Sequence, residues 1–238
     1  AWPVHESRWY VGMKTQVLGN GVAAMMLASN ADKLPNHNIS VVHPDNAPMA
    51  RDHMLGFWNM DGLDLAVESS RASWSNWSII TNTNKSVLHS EKHAYHIMDK
   101  ANYLQNCRIK AEEYGVDFIE QIDLSVDGRS LTFDSRPPKA SKNAMLQHFI
   151  GQEVVIDKPV FDISTAILMD FRVDQSEGMH FIYLLPYSST RALVESTLFT
   201  TKVLERAFYT DAIENYLLDH HGASIVDIVH EEQGVIPV

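Results

Sequence analysis

The stretch from Thr15 to Val42 constrains this chain more than any other. Thr15-Gln16-Val17-Leu18 has the apolar and β-branched character of a short strand, and it runs straight into Gly19-Asn20-Gly21-Val22-Ala23-Ala24. Met25-Met26-Leu27-Ala28 continues as a good helix former, and Ile39-Ser40-Val41-Val42 reads as a second strand. Strand, glycine turn, helix and strand in that order make a βαβ unit, which commits the chain to a parallel sheet. In the dinucleotide-binding form of this unit the first glycine makes the tight turn and the second lets a pyrophosphate approach the backbone. A third small residue, here Ala24, permits close helix–strand packing, while the helix amino end offers N–H donors and a positive dipole end. Such folds usually place an acid after the second strand for the ribose hydroxyls. This chain has His43 there, with Asp45 two residues later. Gly19, Gly21, Ala24 and Asp45 are thus the nucleotide-binding candidates, although an ordinary glycine turn in a βαβ unit has the same pattern.

Charge and cysteine usage exclude several classes. The 238 residues carry 19 Lys and Arg against 30 Asp and Glu, a net charge of −11. Phosphate backbones need a concentrated basic surface, so nucleic acid is not an expected partner. Cys107 is the only cysteine, which forbids an intrachain disulfide and fits a cytoplasmic compartment; nothing around it marks a nucleophile. No apolar run approaches the roughly 18–20 residues of a spanning helix, so membrane contact is expected to be peripheral.

Beyond the opening unit, residues 44–91 are irregular, with Trp58, Trp74 and Trp77 close together, either as core anchors or as the lining of an apolar cleft. Thr81-Asn82-Thr83-Asn84-Lys85 reads as a turn between two strands. Apolar residues at helical intervals, Ala94, Ile97, Met98, Ala101, Leu104 and Ile109, predict a helix over 91–113 that ends at Gly115. His89, His93 and His96 would share one face of it, but no acid completes a zinc pattern and no metal site is expected. Short strands follow at 116–119, 122–124 and 130–133, with a turn at Asp127-Gly128-Arg129. From Met145 the chain is strand-rich, with segments at 146–156, 166–173, 180–186 and 191–199. An amphipathic helix over 205–218 and a strand over 224–229 close the order.

One carboxylate stands out. In Arg191-Ala192-Leu193-Val194-Glu195-Ser196-Thr197-Leu198-Phe199, alternation puts Glu195 on the face of Leu193, Thr197 and Phe199. Ala192, Val194, Ser196 and Leu198 point the other way. An acid in such company is either on a solvated sheet face or reserved for chemistry.

The order of these motifs resembles the FAD-dependent lycopene cyclases, in particular the bacterial and plant lycopene β-cyclases. The resemblance is carried by the glycine turn at 19–24, His53 through Phe57-Trp58, Asp134-Ser135-Arg136-Pro137 and Gln147-His148-Phe149-Ile150-Gly151. It continues in Met169-Asp170-Phe171-Arg172-Val173, Phe181-Ile182-Tyr183-Leu184-Leu185-Pro186, Leu193-Val194-Glu195-Ser196-Thr197 and Glu232-Gln233-Gly234-Val235-Ile236-Pro237. It implies a mixed α/β (α+β) fold of the aromatic-hydroxylase flavoprotein type. A Rossmann-like FAD/NAD(P)-binding domain over 14–60, 92–140 and 205–238 would carry an inserted antiparallel-sheet substrate domain of 61–91 and 141–204. The implied reaction closes the linear ψ end groups of lycopene into β-ionone rings, with FAD in its reduced form and NAD(P)H as its reductant. Glu195 falls on the family's proton-donating acid, and Glu232 and Gly234 fall on a motif expected to contact the cofactor. The family's second acid is replaced by Ser196, which removes a possible partner carboxylate. Asp170 and Arg172 are read as a sheet-pairing couple ahead of an active-site role.

Two further expectations follow from the resemblance. Lycopene is too apolar to travel free in water, so the protein is expected on a membrane surface as a peripheral, cytoplasmic protein. Family members continue past the Gly-x-Ile-Pro segment with a glycine-rich stretch, so the chain is expected to be part of a longer cyclase or a degenerate relative, holding FAD weakly by itself. Ring type, the number of ends closed and the oligomeric state are left open by these residues. A flavin-dependent monooxygenase and a non-catalytic carotenoid-binding relative are the competing readings.

Overall fold

The computed structural model describes residues 12–43, 53–121, 130–137, 141 and 143–238. The first elements are β1 (Met13–Leu18), α1 (Val22–Ala28) and β2 (His37–Val42). Next come β3 (Met54–Trp58), α2 (Asp64–Glu68), β4 (Ser70–Trp74), β5 (Asn76–Ile80), β6 (Lys85–His89) and β7 (Tyr95–Asp99). They are followed by α3 (Lys100–Glu113), β8 (Asp117–Ile119), β9 (Leu131–Asp134), β10 (Leu146–Ile156) and β11 (Thr165–Asp170). The last are β12 (Met179–Pro186), β13 (Arg191–Thr200), α4 (Arg206–His221) and β14 (Ile225–Pro237). The chain divides between Arg51 and Asp52, between Asp99 and Lys100, and between Pro138 and Lys139 into two compact units.

The first unit is the βαβ unit extended. Its sheet has the order β8-β2-β1-β9, and every pairing is parallel. One face is apolar because Val17, Ile39 and Val41 are buried there, along with Ala24, Met25 and Ala28 of α1 and Tyr103 and Ala111 of α3. Cys107 of α3 is fully buried beside Tyr103 and Ser29, and burial pushes its thiol up; it is a core residue. Gly115, at φ +75°, ends α3 where a side chain would be strained.

The second unit has a seven-stranded sheet, β14-β10-β13-β12-β11-β5-β6, antiparallel except between β11 and β5. Residue alternation sends Val154, Ile182, Leu184, Ala192 and Val194 to one face, where α4 packs Ile213, Tyr216 and Leu217 onto them. Ile213 and Leu217 are wholly removed from water, each contributing about 1.5–3 kcal/mol. A smaller sheet, β3-β7-β4, covers the other face, setting Trp74 and Ile97 against Ala166, Leu168, Leu185 and Leu193. Asp170 is fully buried, ion-paired to Arg172 at 2.6 Å and accepting a hydrogen bond from the Tyr216 hydroxyl at 2.8 Å. This couple ties the end of β11 to α4.

Three expectations are corrected. The predicted helix over 91–113 begins only at Lys100, because residues 95–99 form β7, hydrogen-bonded to β3 on one side and β4 on the other. Pairing on both edges overrides an apolar spacing that suited a helix equally well. His89, His93 and His96 consequently sit on β6, a turn and β7, and bond separately to Asn76, Asn59 and Ser70. Residues 205–238 belong with the strand-rich unit and not with the nucleotide unit, as do 53–60 and 92–99. The reason is β14, which extends to Pro237 and pairs along β10. The expected strand at 122–124 and the turn at Asp127-Gly128-Arg129 lie outside the described residues.

Candidate active site

In the first unit, strand order reverses at β1, which lies between β2 and β9. Ligands of open parallel sheets bind beyond the carboxyl ends of the strands at such a point. Here that position is formed by the Gly19–Gly21 turn and by Asp134-Ser135-Arg136 at the end of β9. Gly19 has φ +100°, and a Cβ on it would lie 2.8 Å from the Ser135 hydroxyl oxygen, which itself donates to the Leu18 carbonyl at 2.7 Å. The space gained at Gly19 is therefore taken by Ser135. Gly21 differs: it precedes α1 at φ −74°, nothing lies within 4 Å of where its Cβ would be, and no side chain caps the helix. The open backbone suits an approaching phosphate. Ala24 is buried on the strand side of α1. Arg136 binds Asp134 through two nitrogens, at 2.8 and 2.7 Å, which lowers that carboxyl to about 2. His43 is half-buried, its N–H bonded to the Ile119 carbonyl, and Asp45 lies outside the described residues. A cavity of about 700 Å³ opens on this unit between Lys14, Gln16, Asn38, Ser40 and Asp117, but none of the predicted site residues lines it.

In the second unit, β13 places Glu195 between Gly151 of β10 and Tyr183 of β12. Its face is the one covered by β3-β7-β4, and the surroundings are aromatic. Tyr95 of β7 lies 5.1 Å from Trp58 and 6.5 Å from Trp74, ring centre to ring centre. Its hydroxyl reaches over Gly56, where a Cβ would be only 1.9 Å away, so that glycine is needed for Tyr95 to adopt this position. Phe181 stands 5.2 Å from Tyr183 and 6.3 Å from Phe199 on the same face. Of the three clustered tryptophans, Trp74 is core, while Trp58 stays exposed and meets Trp77 edge-on at 4.5 Å.

The Glu195 carboxyl is pushed up to about 8, chiefly by desolvation, with the charge of Glu232 adding and a hydrogen bond from Thr197 opposing. The residue as a whole is half-buried, and the effect comes from the groups packed around its carboxyl. Thr197 donates its hydroxyl to Glu195 Oε1 at 2.5 Å. Burial also raises Tyr183, to about 12, and raises Tyr95 beyond that, with the Glu195 charge contributing to both. An acid that is mostly protonated near neutrality on an aromatic face can deliver a proton to an apolar molecule.

Glu232, read from the resemblance as a cofactor contact, lies on β14, with only β10 between it and the strand of Glu195. Gly151 pairs with Glu195 on one side and with Glu232 on the other. A Cβ on Gly151 would lie 3.3 Å from Glu232 Oε1 and 3.4 Å from Glu195 Oε2. Ser196, the position of the second acid, is fully buried on the opposite face and bonds His180 Nε2 at 2.8 Å. An acid there would not have faced Glu195; the neighbouring carboxylate comes from β14. Gly234 makes room for the Phe149 ring, two of whose atoms would be 2.5 Å from a Cβ. Tyr95, Tyr183 and Gly151 are not among the site residues expected from the sequence, although Gly151 and Tyr183 stand in segments that carry the resemblance. The available signal was Gly151, a glycine inside a run of strand formers, which marks a close approach.

Among the described residues no helix is long and apolar enough to cross a membrane. In backbone, the chain is similar to a geranylgeranyl bacteriochlorophyll reductase-like protein from Thermoplasma acidophilum, at TM-score 0.65 and 12% identity over 94% of this chain and 66% of that one. It is also similar to a flavin-dependent halogenase from Xanthomonas campestris, at TM-score 0.60 and 11% identity over 95% and 62%. The fold is therefore the Rossmann-like flavoprotein fold. In sequence, 114 residues are 33% identical to the lycopene beta-cyclase of Pantoea ananas, covering 48% of this chain and 28% of that protein. A further 66-residue match, 39% identical, is to the lycopene beta-cyclase of a Paracoccus species, covering 27% and 17%. Each alignment thus spans less than a third of the relative's own length. The family profile described as lycopene cyclase protein matches residues 15–238, and the chain belongs to the lycopene cyclase family.

Proposed function

We propose that this chain carries the acid–base centre of a lycopene β-cyclase, with Glu195 as its acid. The observation behind the reading is a carboxyl raised to about 8 on an aromatic sheet face. Protonating an unactivated alkene requires a neutral acid away from water. The Glu195 O–H bond breaks as the π electrons of the terminal ψ double bond take the proton. Positive charge is left on the substituted carbon, a second double bond attacks it, and the six-membered ring forms. Loss of a proton from the adjacent carbon sets the ring double bond, and the carboxylate is the nearest base to receive it. Atoms and electrons balance without net oxidation. Thr197 would hold the carboxylate in place during its anionic interval, and the faces of Tyr95, Tyr183 and Phe181 suit a transient cation.

Gly21 and the amino end of α1 would hold the pyrophosphate of FAD, with Gly19 and Ala24 fixing the turn and its packing. When bound, the reduced flavin supplies negative charge that favours cationic intermediates, and NAD(P)H is the reductant expected for it. The apolar substrate implies work at a membrane surface. The test is cyclisation of lycopene by Glu195→Gln protein with reduced FAD. Loss of turnover is expected, and a rate near that of the unaltered protein would exclude the role.

A further inference from the structure

We propose that Glu232 is a positioning residue for this reaction, its fixed carboxylate facing Glu195 across Gly151 and biasing the pair to keep one proton on Glu195. The inference rests on the reading of Glu195 as the acid. The arrangement is built by three strands. β10 contributes only a glycine at the point where β13 and β14 each contribute a carboxylate. Both carboxylates border the position a Cβ would take there, Glu232 Oε1 at 3.3 Å and Glu195 Oε2 at 3.4 Å. Two carboxyls that share a site do not ionise together, and the one with better support for its charge ionises first.

Support for charge is unequal. Glu232 is buried and accepts a hydrogen bond from the Met54 backbone N–H at 2.6 Å. The His230 ring lies 3.9 Å from the same oxygen. His53 donates to the carbonyl of the adjacent Gln233 at 2.9 Å, fixing the strand beside the carboxylate. Glu195 has the Thr197 hydroxyl, and desolvation opposes its charge. Among the described residues, the other ionisable groups facing Glu195 are the phenols Tyr183 from β12 and Tyr95 from β7, both held neutral by burial.

Glu153, two residues on from Gly151, is the acid that β10 itself places on this face. It is balanced by Arg71, at 2.8 and 2.6 Å, and by Arg191 at 2.5 Å. Its charge acts on Tyr187, whereas that of Glu232 acts on both Tyr187 and Glu195.

The proposal is tested by titrating the Glu195 carboxyl directly. The infrared C=O stretch of its acid form, assigned by its loss in Glu195→Gln, is followed against pH in unaltered, Glu232→Gln, Glu232→Asp and Asp227→Asn proteins. Removing the neighbouring charge in Glu232→Gln should move the Glu195 midpoint down by about one pH unit. Glu232→Asp, which keeps the charge, should restore part of the shift. Asp227→Asn, an exposed acid on the same strand, should leave the midpoint in place. An unmoved midpoint in Glu232→Gln overturns the proposal, as does an equal shift in Asp227→Asn. Should Glu232→Gln fail to fold, the unaltered protein decides by itself. With Glu232 ionising first, the Glu195 acid band should persist above the ordinary carboxylate range, and its loss at ordinary carboxylate pH would overturn the pairing. The readout needs no turnover. A midpoint that falls in Glu232→Gln while Glu195→Gln still cyclises lycopene would sustain the pair and remove the proposed function.

Discussion

Replacing Thr197 with valine removes one hydrogen bond to Glu195 and little else, because valine fills nearly the same volume. The lost bond is short, 2.5 Å from hydroxyl to Glu195 Oε1. A hydrogen bond to a charged acceptor is worth about 1.5–3 kcal/mol, and to a neutral one about 0.5–1.5 kcal/mol. Thr197 can donate to either form of the carboxyl, so only the difference, on the order of 1–1.5 kcal/mol, acts on the protonation equilibrium. At about 1.36 kcal/mol per unit, the Glu195 midpoint should rise by about one pH unit from its value near 8. The working form is the acid, so activity holds below the midpoint and falls above it. The alkaline limb of the cyclisation rate should therefore move upward in Thr197→Val. Lycopene in vesicles, excess reduced FAD and product quantified across pH give the profile. A limb that stays in place or moves down would refute the assignment of Thr197 as a stabiliser of the anion.

The remaining expectations concern stability and the glycine turn. The folded midpoint of Glu195 lies above its ordinary value of 4.5, so between the two the native state keeps a proton that the unfolded chain releases. Stability from this group is thus greatest at low pH and falls as pH rises toward about 8; the Tm of Glu195→Gln relative to the unaltered protein should increase between about pH 5 and 8.5. Gly234→Ala puts a methyl group into the Phe149 ring, and a denaturation curve should show a loss of about 1–3 kcal/mol. Gly19→Ala should lower the Tm because it combines φ +100° with a clash at Ser135, costing about 1–3 kcal/mol. Gly21→Ala meets no atom and no strain, so its Tm should hold while flavin affinity, read by fluorescence quenching, falls.

Local pattern reached far into this fold. The turn from Leu18 to Val22 was legible because glycine and helix-forming residues announce themselves within a few positions. The strands β10 to β13 were legible because their alternation is strong. The failures came where partners decide. Residues 95–99 fit a helical spacing, and only pairing on both edges makes them a strand. The length of β14 is likewise set by β10, with no strong alternation of its own. The candidate site divides the same way. Glu195 could be picked out from its neighbours on one strand, but the carboxylate beside it depends on the register of two strand pairings. Reading Ser196 as the site of a lost partner treated adjacency in sequence as adjacency in space, which a strand forbids.

The position of β10 between β13 and β14 also has a bearing on how the protein comes to be made. During synthesis β10 and β13 emerge well before β14, and until then β10 is an edge with unpaired backbone. In that interval Gly151 has Glu195 on one side and solvent on the other, and the acid lacks the Glu232 charge that adds to its raised value. The last strand thus delivers both the second carboxylate and the cover of the β10 edge, and a ribosome-stalled chain lacking β14 should be protease-sensitive along β10.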